Sequence, residues 1–209
     1  MEPIIIASSI VILLFSVIIH EVMHGIIALK FGDRTAENAG RLTLNPIPHI
    51  DPLGTILLPA LLVLSGSPIL FGWAKPVPVN PLNFRNIRKG ELYTASAGVL
   101  ANFGLALFAT LILHLTSSFS GLLIESVLRF TIYINLVLAI FNSLPIPPLY
   151  GSKILASYLP AKYQGTFREF ERYGFFILIF LLLVPIGGTS ILGAILGFFL
   201  NIFQGLLRI

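Results

Sequence analysis

Two histidines and a glutamate stand close together in the first apolar stretch of the chain, in the order HEVMH at residues 20–24. On a helix, residues four apart lie on one face, so His20 and His24 can both direct an imidazole nitrogen at a single Zn²⁺ ion. The intervening Glu21 can then act as general base toward a water molecule on that ion. The spacing predicts a zinc-dependent hydrolytic site.

The stretch that carries this motif, residues 3–29, contains no other charged residue. Ionisable side chains are expensive to place inside a bilayer, and those found there usually serve a function. Ser16 shares the helical face of the two histidines, at steps of four residues. Two other interpretations stay open: a polar contact between helices without a metal, and an ion path through the membrane, although the motif is not repeated in the chain.

The composition indicates a membrane protein. Of the 209 residues, 56% are hydrophobic and 11% are charged, whereas soluble domains carry roughly 25% charged residues. The chain has no Cys, which excludes disulfides and thiolate metal ligands. The net charge of +4 fits basic cytoplasmic loops better than a nucleic-acid surface, so we expect no nucleic-acid partner.

Long apolar stretches predict the membrane spans. Residues 3–30, 93–115 and 122–144 can each cross a hydrocarbon core of about 30 Å as a helix. Residues 174–207 are interrupted by the sequence PIGG, and they form either one kinked span or two helices. In the third span, Glu125 and Arg129 are spaced for an ion pair.

The predicted fold is that of an all-α polytopic membrane protein with about four to six transmembrane helices. We expect a single domain over 1–209, with a core at 1–150 and a C-terminal transmembrane helix or helix pair at 174–208.

Basic residues predict which side each loop faces. Eleven of the 13 Lys and Arg residues lie in 30–41, 75–89 and 153–172, which the positive-inside rule assigns to the cytoplasm. The first two segments flank residues 52–73, an apolar stretch broken by Pro59 and by SGSP at 65–68. That stretch should therefore enter and leave on one side, as a re-entrant or broken helix shielded by protein.

A catalytic zinc ion usually has three protein ligands, so two histidines leave one to find. The residues that could supply it are Tyr150, His49 and Asp51, with His114 a poorer candidate because it lies near the outer end of its predicted span.

With these residues in place, the chain resembles the site-2 protease family of intramembrane zinc metalloproteases, peptidase family M50. Four segments match in order: HEVMHG at 20–25 is similar to its zinc-binding motif, GWAKPVPVNP at 72–81 to its membrane-associated strand segment, AGVLAN at 97–102 to AGPxxN, and NSLPIPPLYG at 142–151 to NxxPxPPLDG. No PDZ-like insertion separates the core spans, so the expected fold is a minimal core with a re-entrant segment and short membrane-associated strands.

The resemblance implies a multi-pass protein of the cell membrane that cleaves single-span membrane proteins near the cytoplasmic side of the lipid bilayer. Zn²⁺ would be held by His20 and His24, with Glu21 as general base. Asn102 and Asn142 would orient the substrate or stabilise the oxyanion, and for each a structural bond between helices is an equal alternative. An extended substrate is expected to pair with residues 77–80 or with an edge in 40–48.

Two positions depart from the family pattern. Val99 replaces a Pro, which we expect to be tolerated, and Tyr150 replaces the Asp that is the family's third zinc ligand. Tyr150 is then an unusual phenolate ligand, or His49 or Asp51 substitutes for it. The remaining alternative is that the site is disabled and that the chain is a pseudoprotease that binds transmembrane segments.

Overall fold

A computed structural model describes residues 3–65, 72–116 and 121–209, which are mostly helical. The helices are α1 (Pro3–Lys30), α2 (Thr35–Asn38), α3 (Leu58–Leu64), α4 (Ile87–Thr116), α5 (Leu122–Ser143), α6 (Tyr150–Tyr158), α7 (Ala161–Leu183) and α8 (Ile191–Leu207). Two antiparallel strands, β1 (Pro185–Ile186) and β2 (Thr189–Ser190), join α7 to α8. Short 3₁₀ turns occur at Ile47–His49 and Pro81–Asn83.

Three helices, α1, α4 and α5, are long and apolar enough to cross a membrane, with α1 counted from Ile4. They correspond to the three spans predicted from hydropathy, and α4 begins six residues before the predicted boundary. The prediction of an all-α membrane protein is confirmed.

The C-terminal stretch forms two helices rather than one kinked span. Gly187 and Gly188 have φ angles of 56° and 87°, which suits the tight turn between β1 and β2 because glycine has no Cβ. Leu192, at the start of α8, packs in a cluster with Leu144 at the end of α5. Leu200 packs farther back along α5, so α8 runs antiparallel to it.

The segment predicted to be re-entrant begins as a π-helix at Pro52–Leu57 and continues as α3. Its 6 and 7 helical residues rise about 20 Å at 1.5 Å per residue, too little to cross a core of about 30 Å. This length agrees with a re-entrant path, and the side on which it enters stays a prediction. Most of the predicted break at 65–68 lies outside the described residues.

Residues 72–80 were expected to form short strands, but they pair with no strand among the described residues. The sheet in that part of the chain consists of β1 and β2. Three N–H groups at alternate positions, those of Trp73, Lys75 and Val77, nevertheless donate hydrogen bonds to other parts of the protein. The backbone N–H of Trp73 donates to Gly54 O at 3.1 Å, and that of Lys75 donates to His49 O at 2.9 Å. This is the periodicity of an extended chain with one edge facing the protein.

The core lies where α4 packs against α1 and α5. The face of α4 that is buried consists largely of small residues, which let helix backbones approach closely in a membrane protein. These residues include Gly90, Ala95, Ala97, Gly98, Ala106 and Ala109. The close packing brings polar side chains from α1, α4 and α5 into contact.

Candidate metal centre

The histidines and glutamate of α1 form one buried cluster. His20, Glu21 and His24 are 4%, 9% and 1% exposed, and one potential ligand atom from each lies within 4.8 Å of the other two. The imidazole ring centroids are 4.6 Å apart. The single helical turn between the histidines therefore produces the juxtaposition that their spacing predicts.

Oxygen atoms hold the Nδ1 atom of each histidine. His20 Nδ1 lies 2.5 Å from Asn102 Oδ1, and His24 Nδ1 lies 2.6 Å from the backbone oxygen of Thr94. A backbone carbonyl can only accept a hydrogen bond, so His24 carries its proton on Nδ1 and has a lone pair on Nε2. Bonds of this kind orient metal-ligating histidines.

The two Nε2 atoms are buried without a hydrogen-bond partner among the described residues. Opposite them lies the backbone of α4 at Gly98. A Cβ at this position would be 2.5 Å from His24 Nε2 and 2.6 Å from His20 Nε2. Gly98 thus leaves open the space between the two lone pairs, where an ion with Zn–N bonds of about 2.0–2.1 Å would lie. The residues fit a zinc ion.

Glu21 is held by two contacts. Its Oε2 atom accepts the backbone N–H of Val77 at 2.8 Å, so the extended segment 72–80 passes directly over the cluster. Its Oε1 atom receives the Tyr150 hydroxyl at 3.5 Å, the upper limit for a hydrogen bond. The carboxylate is therefore fixed beside the histidine pair, with one oxygen weakly engaged.

Tyr150, at the first residue of α6, covers the histidine pair with its ring. The ring centroid is 3.8 Å from that of His24 in a stacked arrangement and 5.4 Å from that of His20. Burial raises the pKa of the Tyr150 phenol above its ordinary value, and the charge of Glu21 raises it further. The neutral hydroxyl donates to Glu21, and the proposed role of Tyr150 as a zinc ligand stays a prediction.

The structure places the two predicted asparagines differently. Asn102 is fully buried, and both of its polar atoms are occupied, by His20 on one side and by Asn135 and the Ser16 backbone oxygen on the other. This geometry favours the structural alternative over contact with substrate. The side-chain amide of Asn142 donates to Leu138 O within its own helix, and within the described part of the chain it forms no hydrogen bond with His20, Glu21 or His24.

The other candidate ligands have separate tasks. His49 is buried and contacts Thr43 O through Nε2 at 2.9 Å. Asp51 caps the π-helix by accepting the N–H groups of Leu53 and Gly54. Neither these residues nor His114 belong to the metal-type cluster found among the described residues.

Several contributors to the site were missed by the sequence reasoning. The carbonyl of Thr94 and the N–H of Val77 are backbone groups, so no side-chain pattern identifies them. Asn135 did offer a signal, because it is an uncharged polar residue within an apolar span. It is fully buried and bonds to Asn102.

Asp33 fastens the far end of the segment that crosses the site. Its carboxylate accepts the backbone N–H of Asn80 at 2.7 Å and the Asn83 amide at 2.8 Å, and it also contacts Thr35. Burial alone would raise the pKa of Asp33, but these hydrogen bonds outweigh that effect and lower the pKa below its ordinary value. Arg41 adds a second attachment through Lys75 O at 2.6 Å.

Comparison with known proteins identifies the family. The model of peptidase family M50 matches residues 115–185. Two similar proteins, YwhC of Bacillus subtilis and Rip2 of Mycolicibacterium smegmatis, each bear the name "putative zinc metalloprotease". YwhC is 38% identical over 186 residues, which cover 85% of this chain and 81% of YwhC. The chain belongs to peptidase family M50.

Rip2 is 30% identical over 175 residues, covering 82% of this chain and 65% of Rip2. Rip2 of Mycobacterium tuberculosis is 27% identical over 172 residues. No solved structure matches the chain. The family model covers the end of α4 through α7, so the zinc-type motif in α1 is an observation independent of that match.

Proposed function

We propose that this M50 protein is an intramembrane zinc metalloprotease that hydrolyses peptide bonds of transmembrane segments. The observation that carries the proposal is the pair of buried, unpartnered Nε2 atoms of His20 and His24, which face the gap at Gly98 with Glu21 alongside. A pair of histidines used as a simple polar contact between helices would have hydrogen-bonded these atoms.

His20 and His24 would hold the metal. Zinc, when bound, polarises the scissile carbonyl and lowers the pKa of a coordinated water toward 7. Glu21 takes a proton from the attacking water and later gives it to the leaving amine. Its Oε1 atom suits this task because its partner is the weakly held Tyr150 hydroxyl, whereas Oε2 is engaged by the backbone of Val77.

A cavity of about 330 Å³ gives access to the site. It reaches His24 and Tyr150 and passes between the segment that includes Val77, α4 and α6. Lys153 and Glu171 are also among its lining residues. A larger groove of about 470 Å³ near Arg129 contains none of the predicted site residues, so its size carries no weight for function.

An extended substrate could pair with the outer edge of segment 72–80. The N–H groups of Trp73, Lys75 and Val77 all point toward the protein. The backbone oxygens of Pro76 and Pro78, on the opposite edge, accept no hydrogen bond from the described residues. Addition of a substrate strand at this edge would expose the scissile backbone, which an α-helix keeps shielded.

The proposed setting is a multi-pass protein of the cell membrane with single-span membrane proteins as substrates. The concentration of Lys and Arg in the three segments 30–41, 75–89 and 153–172 supports a cytoplasmic position for the C-terminal ends of α1 and α5. The zinc-type cluster lies six to ten residues before Lys30, about 9–15 Å along the helix from that end.

One observation favours a second candidate, a catalytically impaired pseudoprotease that binds transmembrane segments. Tyr150 stands at the family's third-ligand position, and its hydroxyl contacts Glu21. A ring stacked over His24 in this way would cover the metal position.

Zinc content and cleavage of a single-span substrate by the detergent-purified protein test the two candidates. His20→Ala serves as the metal-free control and Glu21→Gln as the control for catalysis. Tyr150→Phe removes only the hydroxyl, whereas Tyr150→Asp restores the family's carboxylate.

About one zinc per chain, with cleavage that is lost in Glu21→Gln, is the result expected of a protease. Loss of zinc in Tyr150→Phe would identify the Tyr150 hydroxyl as a ligand. Retention of zinc would indicate that the Tyr150 ring only packs over the histidine pair. A zinc-free protein that gains zinc and activity as Tyr150→Asp would refute the protease proposal and support the pseudoprotease.

A further inference from the structure

A chain of buried side-chain hydrogen bonds connects His20 to the third membrane helix. His20 Nδ1 contacts Asn102 Oδ1 at 2.5 Å, and Asn102 Nδ2 donates to Asn135 Oδ1 at 2.7 Å. Asn135 Nδ2 in turn donates to Ser16 Oγ and to Thr131 O, each at 2.9 Å. The three helices α1, α4 and α5 thus meet in one polar network at the metal site.

The direction of every bond in this network follows from a backbone carbonyl. Thr131 O can only accept, so the atom of Asn135 that faces it must be the amide nitrogen. The oxygen of Asn135 must then face Asn102, which has to present its own nitrogen there. Ser16 O, 3.3 Å from the same nitrogen, requires the same orientation.

The oxygen of Asn102 is consequently the atom that faces His20. An oxygen at 2.5 Å requires a proton on His20 Nδ1, which leaves the lone pair on Nε2. A flipped Asn102 would place two acceptor oxygens against each other at the Asn135 contact, where the present separation is 2.7 Å. An apolar residue at 135 would remove this penalty and leave the 3.3 Å contact with Ser16 O to orient the amide.

We propose that Asn135 is a positioning residue that selects the metal-binding tautomer of His20 by fixing the orientation of Asn102. Asn135 forms hydrogen bonds with Asn102, Ser16 and Thr131 and not with His20, so it acts on His20 through one intermediate side chain. The inference rests on the proposed function in one respect, namely that His20 Nε2 is the metal-binding atom.

His20 can be observed directly, because the chain contains four histidines. Uniform ¹⁵N-histidine labelling of the detergent-solubilised, chelator-treated full chain would separate Nδ1–H from Nε2–H tautomers by ¹⁵N chemical shift, with His20→Gln identifying the signal. We expect the Nδ1–H form in the native chain and a mixture of tautomers in Asn135→Leu. We also expect the Zn²⁺ affinity of that variant to fall in proportion to the remaining Nδ1–H fraction, by about twofold for an equal mixture of the two tautomers.

Two control variants and the His24 signal distinguish a positioning role of Asn135 from a general loss of structure. Asn135→Asp retains an acceptor for Asn102 and, when protonated, a donor for Thr131 O, so it should keep the Nδ1–H form. Thr110→Val removes a buried hydroxyl of α4 that bonds to Ala106 O in its own helix, and it should change nothing at His20. The His24 signal, set by Thr94 O, should stay constant in all of them.

Nε2–H at His20 in the native chain would overturn the inference without any variant. So would a folded Asn135→Leu protein, recognised by an unchanged His24 signal, that retains the pure Nδ1–H form. In a further outcome, the native chain binds no Zn²⁺, yet His20 changes from the Nδ1–H form to a mixture of tautomers in Asn135→Leu. This result would refute the protease proposal and leave the positioning role of Asn135 intact.

Discussion

Replacing Gly98 by Ala would place a methyl group at the centre of the histidine pair. Its Cβ would lie 2.5 Å from His24 Nε2 and 2.6 Å from His20 Nε2, whereas ordinary contacts begin at 3.4 Å. The rings or helices would have to move by about 0.8–0.9 Å to relieve the overlap. Overpacking of this kind typically costs about 1–3 kcal/mol of stability.

The effect on zinc should exceed the effect on folding. Zn–N bonds are about 2.0–2.1 Å long, so the methyl group and the ion would compete for one position between the two nitrogens. We expect Gly98→Ala to weaken Zn²⁺ affinity by at least about 100-fold, the upper end of the loss seen when outer-shell partners of a metal are removed. Titration of the chelator-treated protein with Zn²⁺, together with its thermal unfolding midpoint, measures both quantities.

Gly104 supplies the matched control in the same helix. An added Cβ at this position would meet no atom within 4 Å among the described residues outside the local backbone, so Gly104→Ala should bind Zn²⁺ as the native chain does. Substituting Ala for Gly inside a helix generally stabilises it, by roughly 0.5–1 kcal/mol. A folded Gly98→Ala protein with native Zn²⁺ affinity would refute the assignment of the gap at Gly98 as the metal position.

Three further predictions concern the elements around the site. Asp33→Asn should make the free energy of unfolding less dependent on pH in acid. Because folding lowers the pKa of Asp33, its ionised carboxylate stabilises the native chain fully above about pH 4. This stabilisation is lost as the pH falls through the lower pKa of the folded state. Thermal midpoints from pH 7 to pH 3 measure this, and an unchanged pH slope would contradict it. Gly174→Ala should cost about 1–3 kcal/mol in thermal unfolding because its Cβ would lie 2.3 Å from that of Pro147. The control Gly165→Ala, whose Cβ would meet no described atom within 4 Å, should not lower the unfolding midpoint and, being inside α7, should raise it slightly. Gly54→Ala would press a methyl group to 2.2 Å from the Trp73 indole, so the emission of the chain's single Trp should shift while zinc content stays constant.

The sequence was sufficient to predict the membrane helices and the clustering of His20, Glu21 and His24. Hydropathy and length predict α1, α4 and α5, because burial in lipid requires about 20 apolar residues in succession. The histidine pair follows from helical periodicity alone, since His20 and His24 lie one turn apart on the same element. The ion pair of Arg129 with Glu125, at 2.8 Å, follows from the same local rule.

The sequence could not predict the contacts between distant segments, because these contacts depend on how separate helices align. Asn102 and Asn135 are 33 residues apart, and their contact requires a particular axial offset between α4 and α5. The contact of Val77 with Glu21 spans 56 residues and uses a backbone group, which has no signature in the sequence. Segment 72–80 was expected to form strands, yet three of its N–H groups donate to a 3₁₀ turn, the π-helix and α1 rather than to a neighbouring strand.

The polar network also has a consequence for how the protein is made. Ser16, His20 and their neighbours leave the ribosome first, but their partners Asn102 and Asn135 follow 82 to 119 residues later. At synthesis rates of about 5–20 residues per second, that delay is roughly 4–24 s. During this interval the polar groups of α1 lack their native partners, so α1 must be sheltered by insertion machinery or remain near the aqueous interface. The hydrogen bonds of the candidate site are therefore completed only after α5 has been made, and we expect variants that remove one of them to accumulate to a lower level than the native chain.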